Sequence, residues 1–243
     1  MIKSMRRRDV VLSMGAVSAA ALLAGCSQEE TKPAAEATPA APATPAAPAA
    51  PATPAVAAPA AQGKFDTAKL LEAGSLPDQI MGNADAPVTI IEYASLTCSH
   101  CRNFHETTLP EIKTKYIDTG KARLILREFP FDPLAEAGFM LARCSNERYF
   151  PMTDVLFKQQ DTWARAKDVQ AALLQISKLA GFTQESFTAC LTNQKLLEDV
   201  RAVRERGNKE FGVDATPTFF INGNKYAGAL SAAEMSAIID SML

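Results

Sequence analysis

Leu96 to Phe104 reads "LTCSHCRNF" and holds two of the chain's five cysteines, with one of its two histidines between them. A C-x-x-C pair has three common uses: half of a zinc site, part of a haem attachment, or a redox-active dithiol. A c-type haem needs a histidine directly after the second cysteine, and Arg102 stands there. Zinc needs four ligands, or three and a water. Cys98, Cys101 and His105 would supply three, but no later histidine completes a finger-like set, so no metal is expected.

Position favours the dithiol. Cys98 follows "VTIIEYAS" (Val88–Ser95), apolar and β-branched like a strand buried on both faces. It falls at the first turn of a predicted helix, with Thr97 as the expected cap. Orphan N–H groups and the helix dipole stabilise a thiolate there. Cys101, one turn on, reaches Cys98 and points inward. An inert stapling disulfide explains neither this placement nor the short ring it would close.

The helix is predicted to run through Tyr116, with Phe104, Leu109, Ile112 and Tyr116 on one apolar face and a kink at Pro110. Gly120 closes it, and Ala122–Pro130 is a second strand. Upstream, Pro87 is expected to stop any earlier element. Residues 132–212 carry helical periodicity and almost no strand signal. Then come a strand at Thr218–Ile221, an Asn222-Gly223 turn, a short strand around Tyr226 and a closing helix. Ser231 and Glu234 form its capping box, and Met235, Ile238, Ile239 and Met242 its buried stripe. This order predicts an α/β fold: a parallel strand–helix–strand unit, an antiparallel hairpin on the same sheet, and an inserted helical subdomain.

Residues 1–25 read as a signal peptide: Arg6, Arg7 and Arg8 form the charged region, and the apolar run after them is short for a spanning helix. It ends in "LAGC", which resembles the lipobox of bacterial lipoproteins, so Cys26 is expected to be acylated. The alternative is an ordinary cleaved peptide with a chance cysteine, and twin-arginine or Sec export is left open. Residues 26–63 are an Ala/Pro/Thr tract without hydrophobic periodicity, expected to be a disordered tether reaching on the order of 100 Å at most. Residues 64–243 suit one domain with a sizeable core. The whole chain has 25 basic and 27 acidic residues; removing Lys3, Arg6, Arg7, Arg8 and Asp9 leaves 21 against 26, a net −5. No basic patch alternates with aromatics, so nucleic acid is a poor partner. No later segment is apolar enough to span a membrane.

"EYASLTCSHC" followed much later by "ATPTFFING" resembles the DsbA-like thiol–disulfide oxidoreductases of the thioredoxin superfamily, over essentially all of Pro77 to Leu243. The resemblance implies a thioredoxin fold with an inserted all-helical subdomain, and no cofactor. It makes Cys98 the solvent-facing nucleophile and Cys101 its buried partner. Pro217 matches the proline that follows a cis peptide bond, leaving the Thr216 backbone free to pair with an extended substrate beside Cys98. Glu92 matches a buried acid that relays a proton to the inner thiol; pairing with a cation such as Arg127 is the alternative. Cys144 and Cys190 lie in separate insertion helices. In an oxidising compartment such a pair tends to close. A structural disulfide is the reading, resembling one in some α-proteobacterial relatives, with two separate buried thiols as the alternative.

His100 would place a positive charge or N–H donor near the Cys98 sulfur, and stabilising the reduced form makes the oxidised form a stronger oxidant. The expected function is therefore a monomeric, periplasmic, lipid-anchored enzyme. It would introduce disulfides into reduced exported proteins and be reoxidised by a quinone-linked, DsbB-like membrane protein. Two features leave room for a reductase or isomerase: Ser99-His100 replaces the Pro-His of the strongest oxidants, and Thr216 also precedes the cis-proline in those branches. From another class, the alternative is a non-catalytic lipoprotein that carries metal on the same dithiol. The membrane that would hold the anchor is not fixed by Ser27.

Overall fold

The computed structural model describes residues 56–243. The signal peptide, Cys26 and most of the tether lie outside the described residues. In chain order the elements are β1 (Gly63–Lys64), α1 (Thr67–Leu71), β2 (Gln79–Gly82), β3 (Val88–Ala94), α2 (Ser99–Asn103), α3 (Leu109–Ile112) and β4 (Ala122–Glu128). An insertion follows: α4 (Pro133–Cys144), α5 (Tyr149–Lys158), α6 (Gln160–Ala164), α7 (Val169–Leu179), α8 (Gln184–Leu191) and α9 (Gln194–Phe211). β5 (Thr218–Ile221), β6 (Asn224–Ala227) and α10 (Ala232–Asp240) complete the fold. The sheet order is β1-β6-β5-β3-β4-β2. β3 and β4 run parallel, whereas β5 is antiparallel to β3, as strand order predicted.

β3 is central, and all seven of its residues are buried. Side chains alternate across a strand. Val88 and Ile90 therefore join Leu124, Phe219 and Ile221 under α3 and α10, while Ile91 and Tyr93 join Ile125, Phe129 and Phe220 on the opposite face. α9 crosses that second face closely enough that a Cβ on Gly207 would lie 2.7 Å from the Tyr93 ring. Ala94, Leu96 and Cys101 pack instead into the insertion, against Phe139, Phe157 and Trp163. The cysteine turn thus sits where sheet and insertion meet.

Several local expectations change. Pro87 does not mark the start of the fold: β1, α1 and β2 precede it, β1 pairing with β6 and β2 with β4. Gln62, just before β1, already donates its N–H to Lys225 O. The helix after Cys98 is irregular rather than simply kinked: Phe104–Thr108 and Lys113–Ile117 are π-helical turns flanking α3. Pro110 has no N–H for the carbonyl one turn back, and the wider turn before it accommodates that loss. α10 ends at Asp240, so Met242 is half-buried beyond it, while Met235, Ile238 and Ile239 are buried and the Ser231/Glu234 capping box is present.

Candidate active site

The chain leaves β3 through Ser95, Leu96 and Thr97, and Cys98 is the N-cap of α2 in extended conformation (φ −81°, ψ 121°). No side chain caps this helix, so Thr97 does not play the expected part. Its hydroxyl donates to Asp132 Oδ2 at 2.5 Å, while Asp132 Oδ1 accepts from Ala135 N and caps α4. Asp132 therefore ties the cysteine turn to the insertion's first helix.

Cys98 is half-buried and Cys101 fully buried, both as free thiols. Their ionisation is split in opposite directions. The Cys101 thiol donates to the Cys98 sulfur and lowers its pKa to about 5, assisted against burial by the Thr216 hydroxyl and the backbone N–H groups of Cys101 and His100. Burial pushes Cys101 well up, as do that same hydrogen bond and the Glu92 charge. One sulfur is a thiolate at neutral pH and the other a protonated thiol. His100 contributes through its main chain; its imidazole is exposed and makes no hydrogen bond among the described residues.

The Thr216–Pro217 bond is cis. Protonated, Cys98 Sγ donates to Thr216 O at 3.3 Å. Among the described residues the buried Thr216 hydroxyl makes no other hydrogen bond, which leaves it free to donate to the Cys98 thiolate.

Glu92 is wholly buried, and its two carboxylate oxygens lie 3.0 and 3.2 Å from His105 Nε2. The Arg127 alternative fails on register. Glu92 sits opposite Leu126 and Tyr93 opposite Arg127, so Arg127 projects from the other face of the sheet. There it donates to Asp78, the Tyr93 hydroxyl and Leu70 O. His105, which sequence reasoning weighed only as a zinc ligand, stacks on Phe157 of α5 with ring centroids 4.0 Å apart. Gln160, which sequence reasoning passed over, donates from Nε2 to Leu96 O (2.8 Å) and Cys98 O (3.0 Å). Asp161 beside it pairs with Arg102 of α2.

Away from this cluster, Cys144 and Cys190 form a disulfide between α4 and α8, with Cα atoms 6.2 Å apart. Cys26 lies outside the described residues.

A thioredoxin-type sheet, a cysteine at a helix N-terminus, a sheltered second cysteine and a cis-proline against the first sulfur are the arrangement that dithiol exchange needs. Residues 75–241 match the family described as Thioredoxin. A Rickettsia bellii chain named for protein-disulfide oxidoreductase activity is 35% identical over 170 residues, covering 68% of this chain and 66% of its own length. A second, from Rickettsia felis, is 34% identical, and the match covers 60% of it. This chain therefore spans somewhat less than two thirds of those relatives. The crystal structure of Wolbachia pipientis alpha-DsbA1 superposes with a TM-score of 0.66 at 34% identity, covering 72% of this chain and 94% of that one. The chain belongs to the DsbA-like family of the thioredoxin superfamily.

Proposed function

We propose that the chain is a protein thiol–disulfide oxidoreductase that introduces disulfide bonds into exported proteins through Cys98 and Cys101. The observation that carries this reading is the split between the two sulfurs: Cys98 lowered to about 5 and half-exposed, Cys101 raised and buried. A thiolate stabilised this strongly is a good leaving group, and stabilising the reduced pair makes its disulfide a strong oxidant.

In the cycle, a substrate thiolate attacks Cys98 Sγ and the Cys98–Cys101 bond breaks. Cys101 leaves with the electron pair and takes up a proton, which the buried Glu92–His105 pair supplies. A second substrate thiol, losing its proton, attacks the substrate sulfur of the mixed disulfide, and Cys98 departs as the thiolate. Two electrons pass from substrate to enzyme, and the substrate gains one disulfide. Thr216 O and the chain around Pro217 hold the substrate backbone beside Cys98. A quinone-linked membrane protein of the DsbB kind takes the two electrons back. Export to the periplasm, acylation of Cys26 and the Ala/Pro-rich tether would keep the domain, acting as a monomer, near that partner; the support for this is the sequence of residues 1–63.

A Cys101→Ser variant removes the resolving sulfur, and after export it should accumulate mixed disulfides through Cys98 with other exported proteins. Adducts resolved by reductant on a diagonal gel support the reading. Their absence, with Cys98 reactive to a small disulfide, refutes it.

A further inference from the structure

The helical insertion reaches the cysteine turn with one buried side chain that the exchange cycle does not use. Gln160 opens α6, is 5% exposed, and lies 64 and 62 residues from its two acceptors, Leu96 O and Cys98 O. Both partners are carbonyls, so the amide orientation is fixed: both N–H groups face the turn and Oε1 faces away. α5 and α6 are separate helices joined at Gln159, whose φ of −100° and ψ of 15° mark the break that brings Gln160 to the turn. Asp161 grips Arg102 from the same short helix. The insertion thus holds α2 from both sides of the nucleophile.

These two carbonyls belong to the turn that carries the sulfur. Cys98 O also accepts from Arg102 N at 3.1 Å, the first bond of α2. A carbonyl free to rotate toward Sγ would set the negative end of its dipole against the thiolate, and would let the His100 and Cys101 N–H groups swing off the sulfur. A donor on each carbonyl prevents both. Charge-bearing sites depend on such preorganised dipoles more than on mere proximity.

We infer that Gln160 is a positioning residue for the Cys98 thiolate: by holding the Leu96 and Cys98 carbonyls it keeps the α2 N-terminus in its thiolate-stabilising form, and so couples the insertion to the oxidising power of the dithiol. The inference rests on Cys98 being the nucleophile, as proposed above. It concerns the reduced protein, since the disulfide form carries no thiolate to stabilise.

The test uses the full chain with Gln160→Leu, which keeps the bulk and deletes both donors. Thiolate absorbance near 240 nm against pH reads the Cys98 pKa, and equilibration with glutathione reads the disulfide exchange constant. The expected result is a pKa raised by about one unit and an exchange constant shifted about tenfold toward a weaker oxidant, which for two electrons is about 30 mV. The melting midpoint of the oxidised form should change far less than that of the reduced form. Values within twofold of the unaltered protein would overturn the inference. If Gln160→Leu does not fold, Gln160→Glu keeps the shape and polarity while replacing the donors by oxygens; it should raise the Cys98 pKa more than leucine, and an unchanged pKa again overturns the inference. Failure of the functional reading looks different: the unaltered protein itself would show an ordinary Cys98 pKa.

Discussion

Two fully buried glutamates sit on neighbouring strands, Glu92 on β3 and Glu128 near the end of β4, and they have opposite kinds of partner. Glu92 meets His105, whose imidazole nitrogen is a hydrogen-bonding partner that can carry a proton. Glu128 accepts from Arg143 Nε at 2.5 Å and the Tyr149 hydroxyl at 2.8 Å, and Arg143 holds its charge at any ordinary pH. The Glu92 charge contributes to raising Cys101. The Glu128–Arg143 pair lines a cavity of about 370 Å³ with Asp78, Arg127 and Arg206, and Arg143 also donates to Pro77 O. A carboxylate buried with an imidazole partner is equipped to pass a proton along. One buried with arginine is a fixed clasp, here fastening the segment around Pro77 to the sheet.

That contrast can be broken by exchanging each acid for its amide. Glu128→Gln leaves Arg143 charged and incompletely paired in the interior, and should destabilise the protein by roughly 3–5 kcal/mol in denaturant unfolding, with exchange activity per folded molecule unchanged. Glu92→Gln should do the reverse. Stability falls less, because a neutral imidazole can still hydrogen-bond the amide, while the step that protonates Cys101 slows on the order of tenfold to a hundredfold in stopped-flow kinetics. Equal losses of stability from both changes, with no kinetic effect at Glu92, would erase the distinction.

A further expected effect is the pH dependence of the reduced protein. Cys98 has a depressed pKa, so its contribution to stability is complete above the ordinary value of 9.0 and disappears as pH falls through about 5. Thermal melts of the reduced form relative to the oxidised form should therefore show an advantage that shrinks steadily from pH 9 to pH 5. An advantage constant over that window would mean that Cys98 titrates normally.

Much of this was legible in the residues. "VTIIEYAS" and "LTCSHC" define the first strand and the dithiol because their signals are local, an apolar run and a spacing, whereas the cis-proline of "TPTFFING" was legible only through the resemblance to the family. β1 and β2 were not legible. They have two and four residues, and they exist because β6 and β4 offer hydrogen bonds to pair with. Arg127 was a reasonable partner for Glu92 until register placed it on the other face. Gln160 left no trace at all, since its partners are main-chain carbonyls that only the folded insertion brings near. His105 was visible as a side chain, but its role depends on Glu92 and Phe157 both converging on it.

The central claim is that the Cys98–Cys101 pair gives disulfides away. Equilibration of the purified chain with defined ratios of reduced and oxidised glutathione measures this directly. The split between the two sulfurs predicts a pair that stays largely reduced in mildly oxidising buffer, with a potential well above about −200 mV, toward that of strong protein oxidants. A potential near the about −270 mV of a thioredoxin would contradict it and make the chain a reductant.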